Sequence, residues 1–245
     1  MKKNQKEIVP YNSGKGKKKE VEQMFDNIAW RYDFLNHFLS LGIDKSWRKK
    51  ALRNLHGTKI DTLLDIACGT GDFTLLAAKK LKPQSIYGLD LSANMLNIAK
   101  QKSKHKIPNQ DVTFIHGDAE NLPFEENKFD AAIVAFGVRN FENLEKGLID
   151  IYRVLKPGAK FVVLEFSNQN SKLIKGLFKF YFNKILPAIG ALFSKDNRAY
   201  KYLPDSVDNF PSGTTFLRIL EDCGFKNGTA QKDFLGICGI YTGEK

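Results

Sequence analysis

The sequence Thr62-Leu63-Leu64-Asp65-Ile66-Ala67-Cys68-Gly69-Thr70-Gly71 joins a short apolar run to a glycine-rich turn. The apolar run, taken from Ile60 to Ala67, predicts a β-strand that is buried in a sheet. A helix is predicted after the turn, from Asp72 to Lys80. Ligands of an open α/β sheet bind beyond the carboxyl ends of its strands, so this turn is the expected ligand site.

The same alternation of strand and helix continues towards the C-terminus. Further strands are predicted at 85–90, 112–116, 129–136 and 161–166, and helices at 92–102 and 142–155. Two helices (20–39 and 44–54) are predicted before this region, and a helix (near 212–222) and two strands (225–231 and 234–242) after it. Five alternations predict a doubly wound α/β sheet. We therefore expect a single domain over residues 21–245, with a helical lid inserted at about 167–210.

The composition excludes several classes of protein. The chain has 245 residues, 42% of them hydrophobic, so it can bury a core and is not disordered as a whole. It has no uncharged apolar run near the roughly 20 residues of a membrane-spanning helix. Three cysteines without a Cys-x-x-Cys pair predict neither a disulfide framework nor a zinc site, and the four histidines show no metal-ligand spacing. The N-terminus lacks the apolar core of a signal peptide, so we expect a cytoplasmic protein.

The net charge of +11 is concentrated in two regions. Residues 1–20 contribute +5 from seven lysines and two glutamates, and residues 172–201 contribute +6. A uniformly basic nucleic-acid-binding protein would not show this pattern, so we expect no nucleic acid but an anionic partner that is met at particular places. Blocks of like charge are usually disordered, which predicts a disordered tail over residues 1–20.

The glycine-rich turn and its neighbours favour a nucleoside cofactor whose other end is cationic. The dinucleotide fingerprint G-x-G-x-x-G is incomplete, because Thr74 stands at its third glycine, and Asp72 would repel a pyrophosphate. Asp90, nineteen residues beyond Gly71, ends the second predicted strand, where an acid can accept hydrogen bonds from a ribose. S-adenosylmethionine has a ribose and cationic groups, and it is the predicted cofactor.

The predicted cofactor site extends to the third strand. Asp118 and Ala119 follow that strand and are expected near the adenine edge. Within the glycine-rich turn, the site includes Asp65, Gly69, Thr70 and Gly71. The alternative is that these acids only cap helices in an unrelated α/β protein.

Longer motifs occur in one order along the chain. They are Phe25-Asp26-Asn27-Ile28-Ala29, Arg31-Tyr32-Asp33, Trp47-Arg48, Phe136-Gly137-Val138-Arg139-Asn140, Glu165-Phe166-Ser167, Leu186-Pro187, Ala199-Tyr200, Tyr202-Leu203 and Phe210-Pro211. From about residue 20 to the C-terminus, the chain resembles the ubiquinone/menaquinone biosynthesis C-methyltransferase family. It departs from that pattern at Gln169, where the family often has proline, and at Ala135 beside the cofactor, where some members have serine.

The resemblance implies a class I, Rossmann-like methyltransferase fold. Its sheet is mostly parallel with an antiparallel last strand, and helices cover both faces. The implied reaction methylates a ring carbon of a polyprenylated quinol, demethylmenaquinol or, in some members, the analogous ubiquinone precursor. A homodimer is a candidate assembly.

A quinol hydroxyl must lose a proton before its ring carbon attacks well, and a nearby cation lowers the pKa of such a hydroxyl from about 10. Arg139 follows the fourth strand, is expected to point into the cleft and is the candidate for that cation, and Asn140 could bind the same oxygen. The alternative for Arg139 is that it caps a helix or pairs with a carboxylate. The base is left open between water, Asp33 and Asp118, with Tyr200 as a further candidate for handling the proton.

The region 172–201 has two interpretations. On a helical wheel, Lys172, Lys175, Lys179 and Asn183 form a narrow polar stripe on an otherwise apolar helix. It is either a core helix with snorkelling lysines or a lid that holds a polyprenyl tail against the anionic inner face of a membrane. With the family resemblance we favour the lid, and hence a peripheral membrane contact.

Two other functions stay open. One is a methyltransferase that acts on another small molecule or on RNA, since the basic region also contains Phe and Tyr. The other is a non-catalytic scaffold that keeps the cofactor fold, although intact Gly69, Gly71, Asp90 and Asp118 argue against it.

Overall fold

The computed structural model describes residues 8–40, 42–167, 197–233 and 236–245. Its strands are β1 (Thr62–Ile66), β2 (Ser85–Asp90), β3 (Asp111–His116), β4 (Phe129–Ala135), β5 (Leu155–Phe166), β6 (Lys226–Lys232) and β7 (Cys238–Glu244). They form one sheet in the order β3-β2-β1-β4-β5-β7-β6. Strands β1 to β5 are parallel, whereas β7 is antiparallel to both of its neighbours. The predicted mostly parallel sheet with an antiparallel last strand is confirmed.

Helices cover both faces of this sheet. The described α-helices are α1 (Lys17–Leu39), α2 (Ile43–Leu52), α3 (Asp72–Leu81), α4 (Ala93–Lys106), α5 (Leu144–Val154), α6 (Asn197–Asn209) and α7 (Thr214–Asp222). On one face, Leu64 belongs to an apolar cluster with Phe216 of α7. On the other face, Leu63 belongs to a cluster with Phe73 of α3. Because β1 is covered on both faces, apolar side chains occupy both of them, at Leu63, Leu64 and Ile66, and its sequence does not alternate.

Parallel pairing gathers the carboxyl ends of β1 to β4 at one edge of the sheet. Ile66 at the end of β1 is in register with Leu89 of β2 and Val134 of β4. Asp90 at the end of β2 is in register with His116 of β3. The turns that follow these four strands therefore meet, and their side chains can form one site.

Strand β5 begins earlier than the predicted 161–166. The helix predicted over 142–155 stops before Lys156-Pro157-Gly158, a typical helix terminator, whereas in the structure α5 ends at Val154 and the strand starts at Leu155. The register between β4 and β5 shifts between Phe129 and Ala131, which accommodates the extra residues as an irregularity. Gly158, with a φ of +78°, turns the chain there, and its N–H donates to the carbonyl of Lys245 at 2.8 Å.

The N-terminal region differs from the predicted disordered tail over residues 1–20. From residue 8 onward the chain is folded, and α1 begins at Lys17 instead of 20. Glu20 is 1% exposed and accepts hydrogen bonds from the N–H groups of Tyr11, Asn12 and Ser13. The basic composition concealed this order, because a buried carboxylate and the packing of Ile8 and Tyr11 against Val21 and Met24 hold the segment.

The predicted lid lies mostly outside the described residues, including Lys172, Lys175, Lys179 and Asn183. Its C-terminal part, from residue 197, is α6, where Tyr202 packs against Val21 and Met24 of α1. Among the described residues, no helix has the length and apolarity that crossing a membrane requires.

Candidate functional site

The glycine-rich turn after β1 has a strained backbone that leaves space above it. Ala67, Gly69 and Gly71 have φ angles of +51°, +55° and +81°. A Cβ at Gly69 would meet nothing within 4 Å, so this glycine borders open space. A Cβ at Gly71 would lie 3.1 Å from the Cβ of Ala99, so Gly71 allows α4 to pack closely against the turn. Gly69 therefore leaves room for a ligand above the turn, which we call the cradle. Gly71 allows the helix behind the turn to pack closely against it.

Asp90 forms one wall of this cradle. Its Oδ2 accepts the N–H of Gly69 at 2.7 Å, and its Oδ1 accepts the N–H of Ser92 at 2.8 Å. Asp90 is 9% exposed, and burial raises the pKa of its carboxyl group. Each carboxylate oxygen can accept a further hydrogen bond. Asp90 is thus positioned as predicted, at the end of β2 beside the glycine-rich turn.

Asp118 and Ala119 lie across the pocket, in the turn after β3. The Oδ1 of Asp118 accepts the N–H of Glu120 at 2.9 Å, and its Oδ2 lies 2.6 Å from the Nζ of Lys18. Glu120 in turn accepts the N–H groups of Glu142 and Asn143, at 2.7 and 3.1 Å. The turns after β3 and β4 are therefore connected by a buried carboxylate.

The turn after β4 supplies the remaining wall. Ala135 lines the pocket beside Phe136, whose φ of +60° is unusual for a residue other than glycine. A Cβ at Gly137 would lie 2.6 Å from that of Ala67, so the two strained turns are in direct contact. Such strain persists only where the surrounding structure enforces it, and it is concentrated at functional sites.

These turns and helix α1 enclose one pocket. Its lining includes a group of acids and one lysine: Asp90, Asp118, Glu120, Glu142 and Lys18. It also includes apolar and aromatic side chains: Val21, Phe25, Tyr32, Leu89, Leu91, Met95, Phe136 and Phe141. The predicted residues that the structure brings together here are Gly69, Asp90, Asp118, Ala119, Ala135 and Asn140.

Three predicted cofactor residues support the pocket from behind instead of lining it. Gly71 contacts α4, as described above. Thr70 is buried and donates its hydroxyl to Asp33. Asp65 accepts the Thr74 hydroxyl at 2.5 Å through Oδ2, while its Oδ1 has no partner among the described residues. Burial raises the pKa of Asp65 to about 7.

Asp33, a candidate base, does not line the pocket. Its Oδ2 lies 2.8 Å from the Nζ of Lys102, and that ammonium also contacts Asp72 at 2.5 Å. Asp33 also accepts the Thr70 hydroxyl, so it fastens α1 to the glycine-rich turn. Asp118, the other candidate carboxylate, lines the pocket and pairs with Lys18.

Arg139 is oriented differently from the prediction that it points into the cleft. Its side chain is 6% exposed and donates from Nη1 to Glu165 at 2.7 Å and to the carbonyl of Phe136. The Nε has no partner among the described residues. Arg139 therefore lies behind the pocket wall, where it holds the strained turn of Phe136 and is neutralised by a fully buried carboxylate.

Asn140 lines the pocket, and a tyrosine that the site prediction missed fixes its side chain. The hydroxyl of Tyr202 donates to the Oδ1 of Asn140 at 3.2 Å, and burial raises the pKa of Tyr202 to about 12. The sequence did mark this residue, because Tyr202 belongs to the same family motif as Tyr200, a predicted site residue. The side chain of Tyr200 lies outside the described part of the chain.

Arg48 was also missed, although the Trp47-Arg48 motif marked it. It is 8% exposed, pairs with Asp44, and its guanidinium lies 5.7 Å from the ring centre of Phe136. Its Nε, like that of Arg139, has no partner among the described residues. Two buried arginines thus lie near the same aromatic wall of the pocket.

Three side chains have the spacing of metal ligands. His37 lies 3.0 Å from Asp44 and 3.2 Å from Asp72. Both carboxylates already pair with cations, Arg48 and Lys102. This cluster joins α1, α2 and α3 as a network of ion pairs.

The chain matches the family model described as the ubiE/COQ5 methyltransferase family over residues 13–245. The chain belongs to this family. The family predicted from the sequence is therefore confirmed, and so is the prediction of a methyltransferase enzyme.

Similar proteins cover almost the whole chain. A demethylmenaquinone methyltransferase of Bacteroides fragilis is 43% identical over 98% of each chain. A ubiquinone/menaquinone biosynthesis C-methyltransferase of Geotalea daltonii is 45% identical over 94% of this chain and 97% of that protein.

Solved structures share the fold at low sequence identity. A methyltransferase from Thermotoga maritima that depends on S-adenosylmethionine has a TM-score of 0.62 and 21% identity, covering 91% of this chain and 99% of that chain. One from Aquifex aeolicus has a TM-score of 0.59 and 19% identity, covering 80% and 88%. These likenesses confirm the class I methyltransferase fold.

The pocket fits the cofactor of such enzymes, S-adenosylmethionine. Gly69 borders open space, and the adjacent Asp90 offers acceptors of the kind a ribose diol requires. The unpaired, buried Oδ1 of Asp65 is an orphaned acceptor beneath the same turn. Acids outnumber cations in the lining, which suits a ligand with a sulfonium and an ammonium group.

We expect Asp90→Ala to weaken S-adenosylmethionine binding about 10- to 100-fold, because each hydrogen bond to a charged group contributes about 1.5–3 kcal/mol. Isothermal titration calorimetry measures the dissociation constant, and circular dichroism checks that the fold persists. Asp111→Asn, at the far end of β3, is the control. An unchanged dissociation constant in Asp90→Ala would overturn the assignment of this wall.

Proposed function

We propose that the protein transfers a methyl group from S-adenosylmethionine to a ring carbon of demethylmenaquinol, which produces menaquinol. The observation that carries the proposal is the 43% identity to the Bacteroides fragilis demethylmenaquinone methyltransferase over 98% of both chains. The pocket supports it, since its lining combines Asp90 and Gly69 of the glycine-rich turn with aromatic side chains.

The bound cofactor supplies an activated methyl group for an in-line displacement, so the protein must position the substrate, exclude water and manage one proton. The apolar lining of Phe136 and Phe141 suits an aromatic ring and excludes water from it. Helix α1 closes the pocket through Val21, Phe25 and Tyr32.

Asn140 is the residue we assign to the quinol oxygen. Its Oδ1 accepts from Tyr202, and its Nδ2 lies 3.4 Å from the carbonyl of Phe136. These two contacts fix the orientation of the amide, and the second N–H of Nδ2 remains to donate to a phenolate. A donor that is already oriented stabilises developing charge without reorganisation.

Arg139 and Arg48 provide positive charge behind that wall. A cation near the hydroxyl lowers the quinol pKa and so favours the nucleophilic phenolate. Each of the two has a carboxylate partner that reduces its net charge, Glu165 for Arg139 and Asp44 for Arg48, so they act together. With Asp33 and Asp118 both paired to lysines, water is the base that we favour.

The proposal is tested by incubating the purified protein with S-adenosylmethionine and a short-tailed demethylmenaquinol. The analogous benzoquinol and an RNA are supplied in parallel. Methylation of the naphthoquinol at the greatest kcat/KM supports the proposal. Preference for the benzoquinol identifies the ubiquinone precursor as the substrate, and methylated RNA overturns the quinol assignment.

We further propose that the protein works in the cytoplasm at the anionic inner face of the membrane, where a polyprenylated quinol resides. The basic stripe of Lys172, Lys175 and Lys179 supports this contact. So does Trp30 on α1, which is 69% exposed and carries the guanidinium of Arg31 at 3.6 Å from its ring centre. Tryptophan prefers the interface between lipid and water.

The contribution of Arg139 to turnover is tested by replacing it together with its partner Glu165, so that no buried charge is left unpaired. In Arg139→Gln combined with Glu165→Gln, we expect the turnover number to fall about 10²- to 10³-fold, because a preorganised charge near the developing phenolate is lost. Cofactor affinity should remain unchanged, and a higher pH should restore part of the rate. Glu165→Gln alone, which keeps the guanidinium, is the control. Normal turnover in the double variant would exclude an electrostatic role for Arg139 and leave it only the role of holding the turn at Phe136.

Membrane contact is tested by vesicle sedimentation. Replacing Lys172, Lys175 and Lys179 together with Glu, or Trp30→Ala alone, should reduce binding to anionic vesicles while turnover of a short-tailed quinol is kept. Ile149→Ala, an exposed apolar residue on α5, is the matched control for Trp30. Equal vesicle binding by the parent and both variants would contradict the proposal.

A further inference from the structure

The N-terminal segment 8–20, which we call the arm, packs beside the cofactor pocket. Its anchor is Glu20, which accepts three backbone N–H groups and the hydroxyl of Ser13, at 2.6 to 2.8 Å. Burial would raise the pKa of Glu20, but the hydrogen bonds from Ser13, Tyr11 and Asn12 lower it to about 2. The arm is therefore folded back onto the first turn of α1 by an ionised carboxylate.

Two lysines then join the arm to both turns that enclose the pocket. The Nζ of Lys17 donates to the carbonyl oxygens of Phe141 and Arg139, at 2.6 and 3.3 Å, in the turn after β4. The Nζ of Lys18 lies 2.6 Å from Asp118 and 3.5 Å from Glu120, in the turn after β3. Adjacent residues of one helix thus connect the ends of β3 and β4.

Lys18 itself lines the pocket, together with Val21 and Phe25 from the next turns of α1. Its contact to Asp118 involves the carboxylate that lies beside the predicted adenine position. A carboxylate has about four acceptor sites, and Lys18 and the N–H of Glu120 use two of them, so acceptors remain for a nucleobase amino group. Lys18 can therefore bind Asp118 while a nucleoside is present.

We propose that the arm is a latch over the adenosine end of the cofactor site, and that the bridge from Lys18 to Asp118 and Glu120 keeps it closed. This inference rests on the proposed use of S-adenosylmethionine. Lys18 is a positioning residue: it fastens α1, and with it Val21 and Phe25, over the bound nucleoside. The latch slows release of the cofactor and of its demethylated product.

The geometry distinguishes this bridge from an ordinary surface ion pair. Glu120 is 4% exposed and also accepts two N–H groups of the turn after β4, so Lys18 contacts a carboxylate that is already fixed. The hydrogen bond that Lys18 donates to Asp118 raises the pKa of Lys18, which keeps the ammonium charged. Charge-assisted hydrogen bonds to fixed, partly buried partners are among the stronger ones.

Lys18→Gln tests the latch, and Lys19→Gln is the matched control, because Lys19 is exposed and the same charge is removed one residue away. Stopped-flow fluorescence measures the rate constants for association and dissociation of S-adenosylhomocysteine. We expect dissociation from Lys18→Gln to be about tenfold faster, a ratio that corresponds to about 1.4 kcal/mol. Association should change much less, and Lys19→Gln should match the parent.

Hydrogen exchange gives a second readout that does not depend on activity. Adding the cofactor should slow exchange at the amides of Tyr11, Asn12 and Ser13 in the parent and in Lys19→Gln, but not in Lys18→Gln. Glu20→Gln, which loosens the arm while Lys18 is kept, should also speed dissociation.

The outcomes separate the latch from the proposed function. Equal dissociation rates in Lys18→Gln and Lys19→Gln, with a parent that binds the cofactor, would overturn the latch alone. Faster dissociation without any cofactor-dependent protection of the arm would overturn it as well. A parent that binds no cofactor would overturn the proposed function.

Discussion

The pairing of β1 between β2 and β4 is the constraint on which the site depends. It brings the turns after these strands together, so that Gly137 packs against Ala67 with no room for a side chain. Both Ala67 and Phe136 adopt positive φ angles as a result. The free energy gained by burying the apolar strands offsets the cost of this backbone strain, and the strained turns form the cradle.

Buried carboxylates connect the rest of the site to that cradle. Asp90 fixes the glycine-rich turn, Glu120 joins the turns after β3 and β4, and Glu165 pairs with Arg139 behind the wall. Each accepts at least one backbone N–H, which compensates for the cost of its burial. These acids therefore hold the geometry of the turns, and Asn140, which Tyr202 orients, lines the pocket.

Helix α1 makes the pocket a closed site. One of its ends is fastened by Lys17 and Lys18 to the turns after β3 and β4, and the other by Asp33 to Lys102 and Thr70. Between these anchors, Phe25 and Tyr32 line the pocket. These polar attachments, one towards each end of α1, hold the helix against the pocket.

Local patterns in the sequence by themselves determined where the binding residues lie along the chain. They marked the buried strand β1, the glycine-rich turn after it, and the acids Asp90 and Asp118 at and after the ends of the next two strands. Hydrophobic periodicity and turn residues are local properties of the sequence, so the strands, helices and turns could be predicted from them. The family motifs indicated the class of reaction. Tertiary structure alone decided which acids are available. Asp33 and Asp118 are paired with Lys102 and Lys18, Arg139 is turned towards Glu165, and the arm is ordered by Glu20. These partners are 7 to 100 residues apart in sequence, and no local pattern encodes which charged groups the fold brings within about 4 Å of one another.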